Sequence, residues 1–79
     1  MRQTLPAKAV DKLPQYQFAV ISVRQGEPIA SLESSFMDRN KAEGLFERIY
    51  SKWGLTDTNF YLVDWRAQTV LATHEVWSS

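Results

Sequence analysis

A single amphipathic stripe constrains this chain more than any other feature. From Asp38 to Gly54 it reads DRNKAEGLFERIYSKWG, with Ala42, Leu45, Phe46, Ile49, Tyr50 and Trp53 spaced i, i+3, i+4, i+7, i+8 and i+11. That spacing makes one continuous apolar face on a helix of 3.6 residues per turn. Asp38 is placed to cap the first turn by accepting free backbone N–H groups, and Met37 before it to pack on Ala42 as a staple. Gly54 stands where a left-handed residue would end the helix, with Lys52 in the last turn. Gly44 falls on the solvent side, where it costs about 1 kcal/mol relative to alanine. A helix with one apolar face needs something to lie on, and the flanking sequence reads as strands.

Tyr16 to Gln25, YQFAVISVRQ, is rich in aromatic and β-branched residues. Its centre, Phe18 to Ile21, is apolar without alternation, the pattern of an inner strand covered on both faces. Gln25-Gly26-Glu27-Pro28 is a turn, with Gly26 free to take a positive φ. Ile29 to Ser35 is a second strand that sets Ala30, Leu32 and Phe36 against Ser31 and Glu33. Pro28, which has no N–H to donate, confines it to an edge or puts the proline at its entry. After the helix, Asn59 to Trp65 is a third strand with Phe60, Leu62 and Asp64 on one face and Tyr61, Val63 and Trp65 on the other. Arg66-Ala67-Gln68 makes a short loop, and Thr69 to His74 returns with Val70, Ala72 and His74 opposite Leu71 and Thr73. The prolines at 6 and 14 hold Leu5 and Leu13 extended. The expectation is an α+β domain over residues 16–79, preceded by an irregular N-terminal arm over 1–15. Its order is β-β-α-β-β, with one helix on one face of a mostly antiparallel four-stranded sheet.

Seventy-nine residues make one small domain, in which every large side chain counts. Nine basic and nine acidic residues cancel. The chain thus lacks the excess positive charge behind most non-specific nucleic-acid affinity, and behind polybasic attachment to a membrane. Without cysteine there is no disulfide, thiolate nucleophile or cysteine-ligated zinc. The first fifteen residues hold no apolar leader core and no run is long enough to span a bilayer, so a cytoplasmic location is expected.

Chemistry-bearing motifs are not found. His74, the single histidine, reads as a surface or half-buried strand residue, because a general base needs an orienting partner and a pocket. Asp64 reads as an edge or solvent-facing carboxylate hydrogen-bonded to a neighbour. No metal-ligand spacing and no glycine-rich phosphate loop is present. The expectation is a non-enzymatic protein with no cofactor and no metal.

At the helix end and second hairpin the chain runs Trp53-Gly54, Asn59-Phe60 and Val70-Leu71-Ala72, after a two-stranded N-terminal half. Over residues 16–77 this resembles small phage-encoded inhibitors, the anti-CRISPR proteins of type I-F systems, several of which are β-β-α-β-β domains. The resemblance implies a protein without catalytic residues that occludes a surface on a larger ribonucleoprotein.

One helix covers one sheet face, yet the first and third strands offer large apolar residues to both. The second face calls for the N-terminal arm, Trp77, a second copy of the chain or a foreign partner. The functional expectation is a protein-binding inhibitor of a larger protein or ribonucleoprotein, with aromatic anchors supplying affinity and mixed charges the register. The candidate contact residues are Tyr61, Trp65 and Trp77, with Arg39, Glu43, Glu47 and Arg48 on the outer helix face. The alternatives are a nucleic-acid-binding ββαββ module, whose aromatic strands stack bases, and an accessory domain forming a homodimer through its sheet.

Overall fold

The structure, a computed structural model, describes residues 10–53 and 56–77, together with the backbone but not the side chain of Trp53. The Gly54 cap and the arm before Val10 lie outside the described residues. The elements are β1 (Phe18–Arg24), β2 (Ser31–Phe36), α1 (Arg39–Trp53), β3 (Thr58–Asp64) and β4 (Thr69–His74). They form one antiparallel sheet in the order β2-β1-β3-β4. The two most apolar strands, β1 and β3, are therefore central, and the prolyl turn opens onto an edge strand, as Pro28 requires.

Local chemistry explains the boundaries. Asp38 Oδ1 accepts the Asn40 N–H at 2.8 Å while its carbonyl accepts from Ala42, so the cap forms as the sequence implies. The expected staple does not: Met37 is 77% exposed while Ala42 is fully buried. Gly26 has φ +88° and Glu27 N–H bonds the Arg24 carbonyl at 3.0 Å, a turn whose third residue must be left-handed. In the second hairpin Gln68 adopts φ +53° without being glycine. The loop is held instead by Asp64 Oδ1, which accepts Ala67 N–H at 3.2 Å, and by the Gln68 amide donating to the Trp65 carbonyl at 2.6 Å. Asp64 also accepts from Gln17 Nε2 at 3.2 Å.

Two bulges change which side chains share a face. The β1–β2 register steps from Val20↔Ser34 to Ile21↔Leu32, which leaves Glu33 as the extra residue. Leu32 consequently points away from the helix and Phe36 toward it, whereas strict alternation put them together. On β4 the register steps from Leu62↔Ala72 to Val63↔Val70. Leu71 is the extra residue there, so Val70 joins the far face and Ala72 the helix face. An unpaired residue bends and twists its strand, and both bulges sit on edge strands, where twist discourages pairing with another chain.

Two apolar layers result, one on each side of the sheet. On the helix side Val20, Phe60 and Leu62 meet Ala42, Phe46 and Ile49, joined by half-buried Phe18, Phe36, Leu45 and Leu71. Tyr50 packs edge-on against Phe46 and stacks on His74 at a ring separation of 4.1 Å, which gives the lone histidine a packing role. On the far side Ala19, Ile21, Val23, Tyr61, Val63 and Val70 form the second layer, with Val10, Trp65 and Trp77 packed over it. At about 1.5–3 kcal/mol per fully buried large side chain, both layers matter in so short a chain.

Candidate interaction surface

The far face is where the sequence places its aromatic anchors, and the structure uses them differently. Tyr61 is only 5% exposed and belongs to the core, so it is not the spare aromatic that alternation implied. Burial pushes its phenol pKa above the ordinary 10.0, Asn59's hydrogen bond partly offsets this, and Glu75 adds to the rise. Trp65 and Trp77 are half-buried and pack on the same layer. The Trp77 indole N–H donates to the Val23 carbonyl at 3.1 Å.

The residue that organises this arrangement is Asn59, which sequence reasoning missed. It is 2% exposed. Its Oδ1 accepts the N–H groups of Val76 at 2.6 Å and Trp77 at 3.1 Å, while Nδ2 donates to the Trp77 carbonyl at 2.8 Å and the Tyr61 hydroxyl at 3.2 Å. One buried amide thus satisfies the backbone of the C-terminal segment and lays Trp77 on the sheet. The only available signal was a polar residue at the head of a strong strand. The N-terminal segment does the corresponding job at β2. Val10 forms a parallel bridge with Ala30, Asp11 N–H donates to the Ala30 carbonyl at 2.9 Å, and Asp11 Oδ1 accepts Leu32 N–H at 2.8 Å.

The polar candidates lie on the opposite side of the sheet from the aromatic ones, on the outer surface of α1. Arg39 and Glu43 pair at 2.9 Å in an exposed i,i+4 ion pair, and Glu47 and Arg48 are exposed. The seven candidates do not form one site.

Large exposed apolar residues define a different surface. Leu13 is 78% exposed, Met37 77%, Ile29 51%, and Tyr16 and Val76 40% each. Four of these five lie on segments that run into or beside β2. Ile29 precedes the bridge at Ala30 and Met37 follows Phe36. Leu13 and Tyr16 lie on the segment that runs beside β2, whose Tyr16 N–H approaches Ser35 Oγ at 3.4 Å. In sequence they were hidden: Leu13, Ile29 and Met37 sit beside a proline or a cap, and Tyr16 reads as the head of a strand that in fact begins at Phe18.

Two hollows complete the surface. One, about 270 Å³, lies between β1, β2 and β3 beside Ser22, Arg24, Glu27 and Thr58. Its polar groups are largely engaged already. Ser22 donates to Glu33 at 3.1 Å, and Asp57 takes both Arg24 and the Thr58 hydroxyl at 3.0 Å. Those two hydrogen bonds, Thr58 first, hold the Asp57 carboxyl below its ordinary 3.8. The other hollow, about 240 Å³, is lined by Leu45, Arg48, Ile49 and Lys52 on one flank of α1.

Among the described residues no group of three or more His, Cys, Asp or Glu is placed to hold a metal ion. No helix among them is long and apolar enough to cross a membrane. Comparison of the chain with protein-family models, curated proteins and solved structures gives no match.

Proposed function

We propose that this chain is a small protein-binding domain that acts by contact alone, covering a surface on a larger protein or ribonucleoprotein as the type I-F anti-CRISPR inhibitors do. The observation that supports this reading is the row of exposed apolar residues, Leu13, Tyr16, Ile29 and Met37, along the β2 side. Single exposed apolar residues are ordinary, but several along one side mark a surface suited to a partner. Both faces of the sheet are already covered by the chain itself. The contact therefore runs along the side of the sheet, and Trp65 and Trp77 support the fold behind it.

Cells carrying an active type I-F system, challenged with a phage that the system targets, provide the test. Expression of the wild-type chain should restore plaquing, and Leu13→Glu with Met37→Glu should abolish the rescue while circular dichroism stays unchanged. Rescue undiminished in the double variant would remove the β2 side as the contact surface. A wild-type chain without effect would remove the CRISPR complex as the target.

A further inference from the structure

The helix carries its charges in sorted order. Lys41, Leu45, Arg48 and Lys52 are spaced i, i+4, i+7 and i+11, which aligns them along one flank. Glu43, paired with Arg39, turns to the other flank, and Glu47 falls on the outward ridge between the two. Contacts fix which flank faces where. Tyr50 stacks on His74 of β4, whereas Leu45, about 140° round the helix from Tyr50, lies on the opposite flank of a helix that also packs on β2. With β4 and β2 at opposite edges, the cationic flank overlooks the β2 side, the side of the exposed apolar row.

Lys41, Arg48 and Lys52 are exposed, and among the described residues none of them forms an ion pair within 4 Å. The ion pairs there are Arg24–Asp57 and Arg39–Glu43. Arg48 and Lys52 stand over a hollow of about 240 Å³ with Leu45 and Ile49 in its lining. The result is an apolar recess rimmed by two cations with a third one turn beyond.

We infer that this flank binds an acidic segment of a partner protein, an apolar side chain of that segment entering the recess while flanking carboxylates meet Arg48, Lys52 and Lys41. The inference names the partner chemistry for the contact role proposed above and rests on it. Charge complementarity selects the occupant: a recess walled by cations repels a basic segment, and a neutral apolar one would leave the cations without partners. A nucleic-acid backbone is the other polyanion to consider. Three cations on a chain of zero net charge, with Glu47 on the adjoining ridge, supply little counterion release, and the apolar recess has no use for a phosphate.

A displayed library of random twelve-residue peptides, selected on the full chain at low salt, tests this. Wild type should enrich sequences that combine several Asp or Glu with a Leu, Ile, Phe or Met. Binding of a synthetic consensus peptide should fall about tenfold or more in Arg48→Glu, Lys52→Glu, weaken as salt rises, and stay unchanged in Arg66→Glu, a charge reversal at an exposed position in the loop between β3 and β4. The glutamate variants all sit at exposed positions, and circular dichroism checks their folding. Enrichment of neutral or basic peptides, no enrichment, or tighter binding of a random duplex than of the consensus peptide would overturn the inference. Failure here with plaquing rescue intact, and with rescue lost in Leu13→Glu, Met37→Glu, removes only the acidic partner. Failure of both assays removes the contact role as well.

Discussion

The two faces of the sheet are equally dry but are kept so by unlike means. On one, a fifteen-residue helix contributes Ala42, Phe46 and Ile49 from a continuous rod whose backbone satisfies itself. On the other, the cover is assembled from separate pieces: Val10 from the N-terminal segment, Trp65 from a loop and Trp77 from the C-terminal segment. A helix forms and melts as a cooperative unit. Separate straps held by a few hydrogen bonds open at lower free energy, without global unfolding. A sheet backed by a single helix can thus seal its second face when polar side chains, here exposed Asp11 and buried Asn59, hold the flanking segments against it.

Among the side chains that the helix buries, Phe46 is the largest and matters most to the helix-side layer. Replacing it with alanine should cost about 3–5 kcal/mol, as for other buried phenylalanines, a large share of the stability of a domain this size. Urea unfolding followed by circular dichroism should then show the helix and sheet lost together at a much lower midpoint. A change below about 1 kcal/mol would mean that the helix-side layer is not the main core.

The next largest effect belongs to Asn59. Asn59→Ala leaves the Val76 and Trp77 N–H groups without their acceptor, at about 1–3 kcal/mol for an unsatisfied buried group. Hydrogen exchange should quicken at Val76 and Trp77 while the amides of α1 keep their protection. Equal acceleration in the helix would show that both faces open as one unit.

Alkaline pH sharpens the contrast. The folded-state pKa of Tyr61 lies above 10.0, so its contribution is intact below that value and is lost as pH rises through the higher folded one. Stability should therefore fall above about pH 10, the ordinary tyrosine value, and Tyr61→Phe should flatten that fall. An unaltered alkaline limb in the variant would place the destabilising ionisation elsewhere. The smallest effect is expected on the outer helix surface, where Glu43→Gln should cost no more than about 0.5 kcal/mol, the usual worth of an exposed i,i+4 pair.

The helix, its Asp38 cap and the apolar inner strands were legible in the sequence because each is a local pattern with a fixed period. The need to cover two faces was legible too, as arithmetic between one stripe and two apolar central strands. Two of the four covers that the sequence offers, the N-terminal arm (through Val10) and Trp77, do close the second face, joined by Trp65. Which of the four would do so was not legible, because a strap has no period. Val10 and Trp77 look like isolated apolar residues until Asp11 and Asn59 dock them. The bulges at Glu33 and Leu71 were equally silent: period-2 alternation assumes an uninterrupted ladder, and one extra residue shifts everything beyond it to the other face. Tyr61 was misjudged for a related reason, since an aromatic on the face without the helix looks free only while the strap is unseen. The exposed apolar row was invisible because its members come from three separate places in the chain, the segment before β1, the entry to β2 and its exit, that the fold brings to one side.

Nuclear magnetic resonance of the Trp77 indole N–H in dilute solution tests the self-sealed far face most directly. The structure predicts a shifted indole resonance with through-space contacts to Val23 and neighbouring far-face side chains, unchanged on dilution. A random-coil indole signal without those contacts, or contacts that vanish on dilution, would contradict the account, because the face would then be bare or covered by a second chain.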